Sequence, residues 1–138
     1  MRPQPMLAVN DVEASSRWYQ RLFGCTSGHG GTHYERLIFN GNLVLQLHGI
    51  DVEDHHGLIA DKTQPLGNGP LIWFEVDDFD ALVERAHEMG VEILLDKHCN
   101  PPDRNGGPNH WEIWMKDPEG YKVVAVSPDG TADGEWKP

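Results

Sequence analysis

Basic side chains are scarce in this 138-residue chain: 11 Lys and Arg stand against 22 Asp and Glu, a formal net charge of −11. Such a surface repels nucleic acid and anionic membranes, so neither is expected as a partner. It would steer small cations inward, although solubility alone accounts for acidity equally well. No apolar run is long enough for a membrane-crossing helix. The opening Met-Arg-Pro-Gln-Pro contains no apolar secretion-signal core. The two cysteines, Cys25 and Cys99, lie far apart and form no CxxC pair. A disulfide framework is therefore not expected, and a reduced, cytoplasmic setting is. Both thiols read as small buried hydrophobes rather than nucleophiles. No Ser-His-Asp order can be assigned. The glycines of "GGTHYE" are followed by no helix, so they make no phosphate cradle.

What is present is a core and a repeat. Hydrophobic residues make up 38% of the chain, and this length buries roughly 70% of the unfolded surface in one compact domain. "MLAVNDVEASSRWYQRLFG" (6–24) and "LIWFEVDDFDALVERAHEMG" (71–90) share a plan: a short strand, a Val-x-Asp step and a helix closed by glycine. Asp11 and Asp78 (or Asp77) stand at the N-cap, and Gly24 and Gly90 just beyond the last turn. Phe79, Leu82, Val83, Ala86 and Met89 form one apolar stripe, and Val12, Tyr19, Leu22 and Phe23 a looser one. Strand-like segments follow each helix. "THYERLIFN" and "NLVLQLHG" flank Asn40-Gly41, while "VEILLDKH", "HWEIWMKD" and "YKVVAV" follow Gly90. Both halves read as βαβββ, an internal duplication. The modules are expected over 1–48 and 70–127, with a linker at 49–69 and a loose tail at 128–138.

Alternation assigns the faces of these strands. Ile72, Phe74 and Val76 should lie under the second helix, leaving Leu71, Trp73 and Glu75 on the opposite, concave face. Leu7 and Val9 face the first helix, with Gln4, Met6 and Ala8 away from it. Leu43, Leu45 and Leu47 form the apolar side of their strand, with Val44, Gln46 and His48 opposite. A two-residue hairpin at Asn40-Gly41, or one residue later, would place His33, Glu35 and Leu37 with Gln46 and His48, and turn Arg36 outward. "DPEGYKVVAV" (117–126) opens with tight-turn residues. An odd-numbered loop there would set His110, Glu112 and Trp114 beside Lys122, Val124 and Val126. The expected ligand site is thus Glu35, Gln46, His48, Trp73, Glu75, His110, Glu112 and Trp114: indoles with a few convergent polar groups. For any one of these residues, a satisfied strand-end hydrogen bond is the competing reading. His98 could close over such a site from the 97–109 loop. "DHHG" (54–57) could chelate a metal, but reads first as solvated linker.

"VNDVEASSRWYQRLFG", "FEVDDFDALVERAHEMG" and "DPEGYKVVAV" together resemble the vicinal oxygen chelate superfamily over residues 4–127. This group includes glyoxalase I, extradiol dioxygenases, fosfomycin-resistance enzymes and bleomycin-resistance proteins. The resemblance implies an α+β fold. Two βαβββ modules curl a mixed sheet around a cavity, with helices outside, usually in a homodimer that exchanges modules in some members. It also implies four metal-ligand positions, which fall here on Gln4, Gln46, Leu71 and Val124. Leucine and valine cannot ligate a divalent cation, so no metal and no cofactor is expected. One reading is a binding protein of the sequestering kind, with Trp73 and Trp114 against a small aromatic or cationic molecule. The other is a small-molecule enzyme of lyase, isomerase or dioxygenase type. It would use His48, His110 and Glu112 as acid and base, or as a relocated metal site.

Overall fold

The structure, a computed structural model, describes residues 1–105 and 107–132. The chain divides into two compact units, Met1–Asn68 with Pro118–Gly120, and Gly69–Asp117 with the chain from Tyr121 onward. The first runs β1 (Met6–Val9), α1 (Val12–Phe23), β2 (Thr26–Ser27), β3 (Tyr34–Phe39), β4 (Asn42–Gly49). The second runs β5 (Leu71–Glu75), α2 (Phe79–Glu88), β6 (Glu92–Asn100), β7 (His110–Lys116), β8 (Lys122–Val126). Each forms a four-stranded mixed sheet, ordered β1-β4-β3-β2 and β5-β8-β7-β6, whose β1–β4 and β5–β8 pairs are parallel. The fold is α+β, with βαβββ read twice.

The helices start and stop where the sequence places their caps. Asp11 accepts a hydrogen bond from the Ala14 N–H, and Asp78 one from the Ala81 N–H, each satisfying a donor the first turn leaves open. Gly24 follows α1 in the left-handed region, at φ 74°. Val12, Tyr19 and Leu22 of α1 are buried, with Leu7, Val9, Leu37, Leu45 and Leu47 of its sheet. In the second unit Phe79, Leu82 and Ala86 are buried, as are Ile72, Ile113, Met115, Val123 and Ala125.

The two hairpins treat strand parity differently. Asp117 and Tyr121 close the β7–β8 loop through the Asp117 N–H to the Tyr121 carbonyl, 2.9 Å. Pairing begins at Lys116–Lys122, so the loop is odd-numbered and Trp114 lies opposite Val124 as expected. The β3–β4 hairpin corrects its expectation. Asn40 and Gly41, at φ 47° and 77°, make the tight turn, and Phe39 and Ile38 pair with Asn42 and Leu43. Leu37 then pairs with Leu45, leaving Val44 as an extra residue in β4. This bulge slips the register by one. Glu35 therefore pairs with Leu47 on the helix side, while Tyr34 and Arg36 join His48 and Gln46 on the other face.

The described part of the expected loose tail is hydrogen-bonded to the loop before β7. The Gly130 and Ala132 N–H groups donate to the Pro108 and Asn109 carbonyls, at 2.8 and 3.0 Å. The rest of that tail, 133–138, lies outside the described residues.

Candidate functional site

In the second unit, the sheet face opposite the buried apolar side is laid out in cross-strand rows. Trp73, Val124, Trp114 and Leu95 form one row, on β5, β8, β7 and β6. Glu75, Val126, Glu112 and His98 form the next, and Asn100 pairs with His110 beyond it. The first row is apolar. Val124 is fully buried between two indoles, whose ring centroids are 6.4 Å apart at an interplanar angle of 82°. Trp73 keeps 46% of its surface exposed, and Leu71 and Leu95, at 45% and 51%, extend that apolar patch.

The second row is polar and centred on Glu112, which is 2% exposed. Its Oε1 lies 2.7 Å from Asn100 Nδ2 and 2.8 Å from His110 Nε2. Its Oε2 accepts from Trp114 Nε1 at 2.8 Å and lies 3.4 Å from His98 Nε2. Burial pushes the Glu112 pKa up, but hydrogen bonds from Trp114, Asn100 and His110, with the charge of His110, outweigh it and hold the pKa below its ordinary value. The other nitrogen of His110, Nδ1, lies 3.1 Å from Asp129 Oδ1. Both ring nitrogens therefore face carboxylate oxygens, and both contacts are hydrogen bonds only when both nitrogens carry hydrogen.

Of the expected site residues, this face brings together Trp73, His110, Glu112 and Trp114. Glu75 shares the face but is exposed at the strand end. His98 is not on a loop: β6 continues through it to Asn100, and its place opposite Glu112 is fixed by strand pairing. Asn100 and Asp129 went unnoticed in the sequence. Their partners are 12 and 19 residues away, and no local motif announces either.

In the first unit, Gln46 and His48 share a face with Tyr34 and Arg36. The Tyr34 hydroxyl donates to Gln46 Oε1, and Gln46 Nε2 donates to the Gln4 carbonyl at 3.0 Å. His48 is buried, with Nδ1 2.9 Å from the Gly49 carbonyl. Glu35 is not part of this face. It is 3% exposed and accepts from the Ser16 hydroxyl at 2.9 Å and from the His29, Gly30 and Arg36 N–H groups at 3.1, 2.9 and 2.8 Å. Burial would raise its pKa. Hydrogen bonds from Ser27, the Gly30 and Arg36 N–H groups and Ser16 bring it down to about 2 instead. Glu35 is a buried anchor joining α1 to the β2–β3 loop.

These two βαβββ units define the class of protein, and the comparisons name its family. Residues 3–125 match the Glyoxalase/Bleomycin resistance protein/Dioxygenase superfamily, and the chain belongs to it. Among solved structures, the chain is similar to lactoylglutathione lyase from Agrobacterium tumefaciens, at 15% identity and TM-score 0.64, covering 92% of each chain. It is similar to TioX from Micromonospora sp. ML1, at 16% identity and TM-score 0.69, covering 93% of this chain and 98% of that one. A glyoxalase-related enzyme from Fulvimarina pelagi, at 20% identity and TM-score 0.67, covers 92% and 87%. At these identities the likeness extends to the fold alone.

The metal positions implied by the resemblance do not fit a metal here. Val124 is enclosed by indoles, Leu71 pairs with Lys122, and both amide ends of Gln46 are engaged within the unit. That donor set offers no anionic or imidazole ligand.

Proposed function

We propose that this protein is a binding member of its family, holding a small aromatic molecule against Trp73 and Trp114 on the second unit's sheet. The observation that carries the reading is the half-exposed Trp73 indole, set nearly perpendicular to Trp114 across a buried valine. A flat ligand laid on one indole meets the edge of the other, the edge-to-face arrangement aromatic rings favour. Glu75, exposed on the same face, and the net charge of −11 favour ligands that are also cationic. Glu112 supports binding over catalysis. Donors from its own sheet fill both oxygens and its pKa is lowered, the reverse of a carboxylate poised as a base near neutrality.

The test is a tryptophan-fluorescence titration across aromatic antibiotics and metabolites, with Trp73→Ala as the control. Removing Trp73 is expected to weaken the responding ligand roughly tenfold or more, the loss of one aromatic contact and its buried area. An unchanged dissociation constant in folded Trp73→Ala would end this reading. A second reading, catalysis, draws on His110 held between Glu112 and Asp129. Product analysis on the same samples separates the two. Ligand recovered unaltered supports binding, whereas turnover abolished in His110→Gln supports an enzyme.

A further inference from the structure

Three histidines of the first unit, His29, His48 and His56, are each followed by glycine. In all three, Nδ1 lies against the carbonyl of that glycine, at 2.6 Å for His29, 2.9 Å for His48 and 2.6 Å for His56. A carbonyl oxygen only accepts, so each contact is a hydrogen bond with the proton on Nδ1. Each neutral ring then presents its lone pair on Nε2. A backbone carbonyl holding one ring nitrogen in this way is the usual device for orienting a metal-binding imidazole.

Two of these rings are neighbours. His48, buried at the end of β4, and His56, exposed in the segment after it, have centroids 5.4 Å apart at an interplanar angle of 59°. A metal about 2.0–2.1 Å from each nitrogen lies about 3.2 Å from each ring centre, so two imidazoles on a tetrahedral metal have centroids roughly 5.2 Å apart. The observed 5.4 Å spacing fits one ion shared between the two rings. His55 is different: its ring is 5.0 Å from that of His56, but its Nδ1 lies 3.5 Å from Asp54 Oδ1. No group of three or more His, Cys, Asp or Glu among the described residues is arranged to hold a metal, so two protein ligands would leave the remaining positions to water or a bound molecule.

We infer that His48 and His56 form a two-imidazole site for a late first-row divalent cation, such as Zn(II) or, more tightly, Cu(II). The site lies within the first unit, on residues other than Gln4, Gln46, Leu71 and Val124. It is independent of ligand binding at Trp73. The segment carrying His56 would be tied to β4 when the ion is bound and released when it is removed.

The experiment is calorimetric titration of the full chain, stripped of metal by chelator, with Zn(II) in a non-coordinating buffer. Cu(II) electron paramagnetic resonance follows on the same variants. One saturable site per chain is expected, weakened tenfold or more in His56→Ala and in His48→Gln, and changed less than twofold in His55→Ala. The Cu(II) spectrum should carry coupling to two imidazole nitrogens. His56 is exposed, so His56→Ala keeps the fold and decides the question even if His48→Gln does not. Absence of saturable binding, unchanged affinity in His56→Ala, or an equal loss in His55→Ala would overturn the assignment.

Discussion

Glu112→Ala is expected to lower the stability of the protein by about 3–5 kcal/mol, the range for removing one partner of a buried charged network. The substitution does more than delete a charge. His110 Nε2, Asn100 Nδ2 and Trp114 Nε1 all point at the Glu112 carboxylate, and alanine leaves them facing each other without an acceptor. For a chain of this length the melting temperature should fall by roughly 10 °C or more. Glu112→Gln should cost less, because its carbonyl still accepts while its amide meets donors. Urea unfolding of both variants checks the ordering, and a Glu112→Ala loss below about 1 kcal/mol would show that the donors find other partners. The sign of the pH dependence follows from the lowered pKa of Glu112. Its stabilisation is complete above the ordinary carboxyl range and is lost as pH falls through the depressed value.

The second large effect belongs to Glu35. Its pKa falls from 4.5 to about 2 in the folded protein, so ionised Glu35 should contribute on the order of 2–3 kcal/mol at neutral pH. That stabilisation is fully present above pH 4.5 and is lost as pH falls towards about 2. Glu35→Gln is therefore expected to be less stable than the parent at pH 7, with the gap closing by about pH 2. Equilibrium unfolding at a series of pH values measures the convergence. A gap that stays constant with pH would mean that shape, not charge, ties α1 to the β2–β3 loop.

Features set by neighbouring residues were legible in the sequence. Asp11 and Asp78 cap their helices because the cap bond spans only three residues. The rows through Trp73, Val124 and Trp114 follow from an odd-numbered Asp117–Tyr121 loop, since strand alternation then leaves no freedom. What escaped was either silent or distant. Leu43, Val44 and Leu45 are all apolar, so no alternation marks which residue is extra, and parity counted from the turn puts Glu35 on the wrong face. Asn100 and Asp129 reach Glu112 and His110 only after the chain folds back. The shared imidazole tautomer depends on backbone carbonyls whose direction residue types do not encode.

The extra Val44 gives the first sheet something like a reading frame. Every side chain of β3 upstream of it is displayed in the frame the bulge sets, with Tyr34 and Arg36 on one side and Glu35 on the other. Pairing the same two strands without the bulge would exchange those sets. That regular pairing would set Leu37 against Val44, put the Glu35 carboxylate beside Gln46 and turn Arg36 toward α1, where an unpaired guanidinium is prohibitively costly. Two sheets built on one plan can in this way come to display unrelated chemistry through a difference of one residue in strand length.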